Sequence, residues 1–426
     1  MKMDHLFQFL QTIFYFSLER VKLCILVICS YMSFDSKSQN LLPLNYDTIQ
    51  RTQEINIYAT GEFASTSISN KLTRHFLFGG NISTDLIEKI DGKHKSLNRI
   101  GFYAEPTIEY INYNVKPFKS VNWGIIVKVG AFYSGASRYR SGLFGLGFRG
   151  NEPYLGSEID LSNMTANITA AHKIGFGFID GKSKSSITFN IYGITNHFSS
   201  HLNDSYFKQD ETGYNAELLL QGRADIAKGP YYKGLGVGID ANLFFKVGPD
   251  EKPSFIQFSI QNLGIGFLNK NIVRYAIDTT LYHDGFTISQ LTNGETMFGK
   301  DKNVADEIGL KRDTISKTIA LPFTVQIGKI IDEHNTKLFQ LFYGGRIYVQ
   351  NGALPMLYFG GHYRSKKWFR MGAGVSYGGF TGFRANLYAQ GVWKQFNVGL
   401  STTDVAGMIG VGKGYGYSLN LSYRFL

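Results

Sequence analysis

Apolar and polar positions alternate with period two through most of the chain from Arg99 to Phe425, and the pattern is cleanest in the last ten residues. Tyr417, Leu419, Leu421, Tyr423 and Phe425 are apolar or aromatic, while Ser418, Asn420, Ser422 and Arg424 between them are polar. Period two puts successive side chains on opposite faces of a strand, so this segment has one oily face and one wet face. Aromatics bracketing two leucines on such a strand predict the closing strand of an outer-membrane barrel, whose aromatic residues sit at the membrane interfaces.

Further strands are predicted at 121–133, 157–178, 186–198, 214–226, 234–247, 255–267 and 271–282, after a start near Arg99. The last quarter adds 318–331, 337–350, 355–364, 368–377, 383–393, 395–402 and 415–425. Most reach the length of about ten residues that a tilted strand needs to cross a bilayer. The expected fold is all-β, a single antiparallel transmembrane β-barrel over 98–426, interrupted by a long extramembrane loop at 285–316 that carries a short helix. Residues 138–151 read as a loop or short helix. Residues 39–97 are expected to form an arm, a plug or a first short strand, with strand character at 56–63 and a helical turn at 84–90.

The N-terminus reads as a leader. Arg20 and Lys22 precede Leu23–Phe34, a mostly apolar run, and Ser36 and Ser38 supply the small residues of a cut before Gln39. That is a secretory signal peptide over 1–38, too short to span a membrane. A compact leader over 21–38, starting at Val21, fits equally. Both cysteines, Cys24 and Cys29, fall inside it. The remaining chain offers no disulfide, thiolate metal site or cysteine nucleophile.

Composition sharpens this picture. Aromatics make up 15%, and there are 48 glycines but only 9 prolines, which suits closely packed strands. A net charge of +11 raises nucleic acid as a partner. No basic run with interleaved aromatics at module spacing supports that partner. The charge fits loops, a lumen and phosphate-bearing lipid headgroups.

Candidate chemistry is sparse. Gly410, Gly412, Gly414 and Gly416 leave too little chain for a dinucleotide-binding unit. His197 and His201 have metal-ligand spacing only on a helix, and they sit at a strand end. No Gly-x-Ser-x-Gly elbow is present. His362, on the polar face of its strand, leaves a barrel-embedded hydrolase as a distant reading. The expectation is a non-enzyme without cofactor or metal. Strand parity instead selects lumen-lining residues: Glu105, Glu109, Glu217 and Asp240 early in the chain, and Arg346, Arg364, Arg370, Arg384 and Arg424 late in it. Two such arcs either set a transverse field across the lumen or pair with other charges.

Two stretches carry a family resemblance. They are Phe148-Arg149-Gly150-Asn151 with Leu155-Gly156 and Ile159, and Ser259-Ile260-Gln261-Asn262-Leu263-Gly264-Ile265-Gly266-Phe267. With them the chain resembles the fatty-acid-transporter-like outer-membrane barrels, most of all an uncharacterised secretion-associated barrel family of Bacteroidota. The resemblance implies an outer-membrane location, a barrel of roughly 14 strands, and either passage of hydrophobic molecules or a role beside secretion machinery. It brings no catalytic residues. The chain departs from fatty-acid transporters in lacking an apolar N-terminal hatch after the leader. The functional expectation is a passive pore or transporter for small or hydrophobic solutes. The alternative is a structural or interaction barrel with a plugged lumen. Expected partners are outer-membrane lipid, the barrel-assembly machinery through the C-terminal strand, and a secretion-system component, but not nucleic acid.

Overall fold

A computed structural model describes residues 52–117, 122–249, 254–283, 310–331, 338–350, 352–366 and 368–425. The leader lies outside them, as does the helix expected within 285–316. Among the described residues no helix is long and apolar enough to cross a membrane.

The chain folds as one antiparallel sheet closed on itself. Its first half supplies β1 (Gln53–Ser65), β2 (Leu97–Ala104), β3 (Thr107–Asn112), β4 (Trp123–Arg140), β5 (Glu158–Asp160), β6 (Met164–Asp180), β7 (Ser186–Leu202), β8 (Tyr206–Gln209), β9 (Ala216–Ala227) and β10 (Gly234–Val247). The second half supplies β11 (Ser254–His283), β12 (Lys311–Ala320), β13 (Phe323–Ile330), β14 (Phe339–Val349), β15 (Leu354–Lys366), β16 (Phe369–Gly379), β17 (Phe383–Trp393), β18 (Phe396–Thr402) and β19 (Gly414–Phe425). The last strand pairs with the first, Phe425 opposite Gln53, and this closes the ring. Closure leaves no edge, the condition for a sheet to stand in lipid.

Among the described residues the ring has about fourteen wall positions, because β2 with β3, β9 with β10, and β12 with β13 each share one. All three breaks contain a proline: Pro106, Pro230 and Pro322. Pro106 and Pro322 cannot donate to the ladder, yet the register continues past them, with Thr60 bonded to Glu105 and Leu321 to Gly264.

The two rims differ. At the lower rim strands meet in short turns such as 394–395. The upper rim carries a crown: α1 (Asn70–Phe78), α2 (Thr84–Asp91) and α3 (Ser141–Arg149), with the β5–β8 pair. Ser69 and Ser83 cap the first two helices by accepting from the N–H of Leu72 and Leu86. The crown has its own core, in which Leu72, Leu86, Ile90, Phe144, Ile159 and Phe207 are buried.

Three expectations change. The wall begins at Gln53 rather than 98, because Glu54, Asn56 and Glu62 turn inward from a strand that looks mixed in sequence. Residues 255–267 and 271–282 form one strand, and the polar break between them is absorbed as a register shift between Leu268 and Ile272. The loop expected to reach 316 ends by Lys311, where β12 starts.

Candidate functional site

The outer face is apolar. Ile174, Ile191, Leu235 and Leu357 are 64–70% exposed, on alternate positions of β6, β7, β10 and β15. Aromatic residues rim this band: Trp123, Trp368, Trp393 and Phe396 below, Tyr377 and Phe383 above, all exposed. Lys366 and Lys394 lie over the rings of Trp368 and Trp393 at 5.6 and 5.5 Å. From Phe383 to Trp393 a strand rising ~3.3 Å per residue covers ~33 Å, or ~23 Å along the normal at ~45° tilt. That matches the apolar band of about 25 Å that a membrane barrel presents.

The inner face is polar, and its side chains cross the lumen. On one side Lys173 of β6 donates to Glu105, to Asn262 at 3.0 Å, and lies 3.4 Å from Asp240. Lys128 of β4 pairs with Glu109 at 3.2 Å and reaches Asp240 at 3.7 Å. Asn262 holds this cluster together. It sits at a bulge of β11 with φ 61°, a conformation asparagine tolerates better than most residues. Its backbone N–H donates to Asp240 (2.8 Å), and its Nδ2 donates to Tyr103 Oη (2.9 Å) and Glu105 (3.1 Å). Its Oδ1 also accepts from Tyr192 (3.2 Å).

From Tyr103 the layer continues to the opposite wall. The rings of Tyr103 and Tyr348 are 6.4 Å apart, and Tyr348 donates to Glu62 at 2.9 Å. Glu62 is ion-paired with Arg384. Arg346 donates to Gln326 (2.8 Å) and to Tyr348 (3.2 Å). Above them Phe380, in the β16–β17 turn, is fully buried against Ala64 and Ala136, and Ser134 bonds to Gln350 across the mouth. Buried charges are tolerated best when paired and hydrogen-bonded, and Lys128, Lys173 and Arg384 each have a carboxylate partner here, although Arg384 Nε makes no hydrogen bond.

On the β4–β12 side the lumen is stacked in levels. Above the Lys173 cluster lies a fully buried apolar layer of Phe132, Tyr192, Ile194, Leu268, Ile319 and Leu321. Tyr192 has room because it folds over inward-facing glycines. A Cβ on Gly238 would come within 3.0 Å of its ring. Above that layer stands a second charged group, in which Asp225 accepts from Arg274 (2.7 Å) and Lys317 (2.7 Å). On the other side, below Arg384, Tyr388 meets His362 at 2.6 Å. Beside them a cavity of about 10 Å³, lined by Phe342, Tyr358, Asn386, Tyr388, Ser401 and Thr402, is about the size of one water.

Of the parity-selected residues, Glu105, Glu109, Asp240, Arg346, Arg370 and Arg384 are all buried on the inner face. Arg364 and Arg424 are half-buried near the lower rim. Glu217 is elsewhere: it lies in the crown, where β9 pairs with β8, and accepts from Tyr206 at 2.6 Å. The acids meet Lys128 and Lys173 on their own side, and Arg384 meets Glu62, so charge is compensated locally instead of facing across the lumen. Sequence parity missed Glu62, Tyr103, Lys128, Lys173, Asn262 and Tyr348. The pair Gln261-Asn262, two polar residues breaking a period-two run, is the mark of the bulge. His197 is buried inward and bonded to Thr169 (3.2 Å), and the described residues hold no group of three or more side chains suited to a metal ion.

In the crown, His94 stacks on Phe144 (4.3 Å) and bonds to Tyr139 (3.1 Å) and to the carbonyl of Ile90 (2.9 Å). Burial pushes its pKa down, more than the Ile90 carbonyl and Asp91 raise it.

A closed antiparallel wall with an apolar outer band, aromatic rims and a polar interior defines a transmembrane β-barrel. No protein-family model matches the chain, and no curated protein does. Solved structures similar to it include the Pseudomonas putida toluene transporter TodX, at 10% identity over 92% of this chain and 94% of that one, TM-score 0.34. A Pseudomonas aeruginosa FadL homologue is 12% identical over 88% and 90%, TM-score 0.37. The β domain of the Bordetella autotransporter BrkA is 8% identical over 87% and 98%, TM-score 0.26. Similarity this shallow defines no family.

Proposed function

We propose that the protein is an outer-membrane transporter for small hydrophobic solutes whose lumen rests closed, not a standing water-filled pore. The observation that carries this reading is the apolar layer of Phe132, Tyr192, Ile194, Leu268, Ile319 and Leu321 between two ion-paired levels. An apolar guest can replace side-chain contacts there, whereas a hydrated ion would lose its water against apolar walls. Vesicles with a lipopolysaccharide outer leaflet, which slows unaided entry of hydrocarbons, should take up a small aromatic hydrocarbon faster with the protein than without it and show no added flux of a sugar of similar size. Equal fluxes of both probes would reject the proposal.

The Tyr103–Tyr348 contact favours a second reading, in which the filled barrel is a structural anchor for a secretion-system partner. Under it, neither probe crosses. In both readings β19, with its outward Tyr423 and Phe425, is the strand offered to the barrel-assembly machinery, and outer-membrane lipid is the solvent.

A further inference from the structure

At the upper mouth of the lumen one row of inward residues runs straight across five neighbouring strands. Arg99 of β2 stands directly opposite Arg138 of β4, and Arg138 opposite Thr165 of β6. Thr165 in turn faces His201 of β7, and His201 faces Arg223 of β9. Residues opposite one another in a ladder share a face, with Cα atoms about 5 Å apart. The face is the inner one. Arg99 follows Tyr103 and Gly101 in steps of two, and Arg138 follows Ser134 and Ala136, all of which make contacts inside the lumen.

The first three members of the row lack the partners found elsewhere. Among the described residues, neither the Arg99 nor the Arg138 guanidinium has a hydrogen bond or an ion pair, although the Nε of each is buried. The Thr165 hydroxyl is buried without a partner as well. By contrast Lys128, Lys173, Lys317 and Arg384 each meet a carboxylate in the lumen. Arg140, two residues along β4 from Arg138, has Asp160 at 3.1 Å. Like charges directly opposite each other destabilise a sheet, so the Arg99–Arg138 pair is out of keeping with the rest of this interior.

The pair is also enclosed. One step below it the buried Phe380 lies on Gly101 and packs against Ala136 and Ala353. From the opposite wall Gly352, in the turn between β14 and β15, comes up to Arg99. A Cβ on Gly352 would stand 3.9 Å from Arg99 Cγ and 3.7 Å from the Ser137 carbonyl oxygen. One oxyanion between the two guanidinium forks can accept N–H bonds from both, and Thr165 adds a hydroxyl at the next register position. A dianion balances the two arginines, whereas a monocarboxylate leaves one charge over.

We propose that Arg99, Arg138 and Thr165 form a binding site for a dianionic phosphate group, that of a phosphate monoester or of inorganic phosphate. The site rests on the closed barrel and is independent of hydrocarbon transport.

The test is isothermal titration calorimetry of the mature protein in nonionic detergent and phosphate-free buffer at pH 8, where a phosphate monoester is dianionic. The titrants are phenyl phosphate, inorganic phosphate and benzoate. One phosphate should bind per protein, more tightly than benzoate. R99Q and R138Q should each weaken it about ten-fold or more, the loss of one charge-assisted contact. Thr165→Val, which leaves charge untouched, should weaken it a few-fold. R223Q lies three ladder steps from Arg138 and should change it by about two-fold at most, since salt screens that distance. Without phosphate R99Q should be at least as heat-resistant on gels as the wild type, because it relieves repulsion, and phosphate should protect the wild type alone. Tighter binding of phenyl phosphate assigns the site to an ester, and tighter binding of inorganic phosphate assigns it to the free anion; either supports it. No binding of either phosphate, undiminished binding by R99Q and R138Q, equal loss in R223Q, or benzoate binding as tightly as phosphate would overturn it.

Discussion

Tyr103 and Tyr348 project from opposite sides of the barrel wall and meet inside it, their ring centroids 6.4 Å apart. Each hands its hydroxyl to a buried carboxylate, Tyr103 to Glu105 and Tyr348 to Glu62. The interior is therefore braced through its own side chains, with no separate plug domain among the described residues.

The Glu62–Arg384 pair is a brace of this kind, with both side chains buried. Glu62→Gln removes one charge and leaves the other buried without compensation, which costs about 3–5 kcal/mol. The urea midpoint in detergent should fall accordingly. The E62L/R384M double variant, which buries no charge, should be milder than the single.

The outward face should tolerate charge only at its rims. Leu387 is 46% exposed on the apolar band, and arginine there should cost about 2–4 kcal/mol near the midplane and reduce assembled protein in membranes, whereas arginine at Phe396, 50% exposed at the lower rim, should cost only about 0–1 kcal/mol. Asn386→Asp, one step along the same strand but facing inward, should be less harmful. Leu419 shares the outward parity but is only 7% exposed, so it tests packing between strands and not lipid contact.

The crown should loosen in acid. His94 has its pKa lowered by burial, so the unfolded crown binds a proton more readily than the folded one. Its stabilising contribution is complete above the usual histidine range near 6.5 and is lost as pH falls through the lowered folded value. Protection factors for amide exchange in α2 and α3, corrected for the intrinsic pH dependence of exchange, should fall between about pH 7 and pH 5. His94→Gln should flatten that dependence.

Asn262 should be hard to replace. Asn262→Ala removes the side chain that joins Tyr103, Glu105, Lys173 and Tyr192 and puts alanine at positive φ. Each partner left unsatisfied costs about 1–3 kcal/mol. Asn262→Gly relieves only the backbone part and should recover a minority of the loss in a urea melt.

Much of the wall was legible because lipid outside and polar groups inside impose a strict period of two on each strand. Ser418 to Phe425 and Phe383 to Ala389 show it without interruption. β1 was harder to read, since Glu54, Asn56 and Glu62 face inward opposite outward residues as small as Ala59 and Gly61. The lumen charges could be assigned to a face by parity, but their partners could not. Glu62 meets a residue 322 positions away, and Tyr103 meets Asn262 across 159. Such pairings depend on how the ring closes, not on any local pattern. Glu217 was misread because β9 continues past the membrane into the crown, where parity no longer separates lumen from lipid.

The most direct test of the closed lumen is single-channel recording of the mature protein in planar bilayers. The wild type should show no stable open level, and Y103A/Y348A, which removes the contact between opposite walls, should conduct. A steady open conductance in the wild type, unchanged by Y103A/Y348A, would contradict the account.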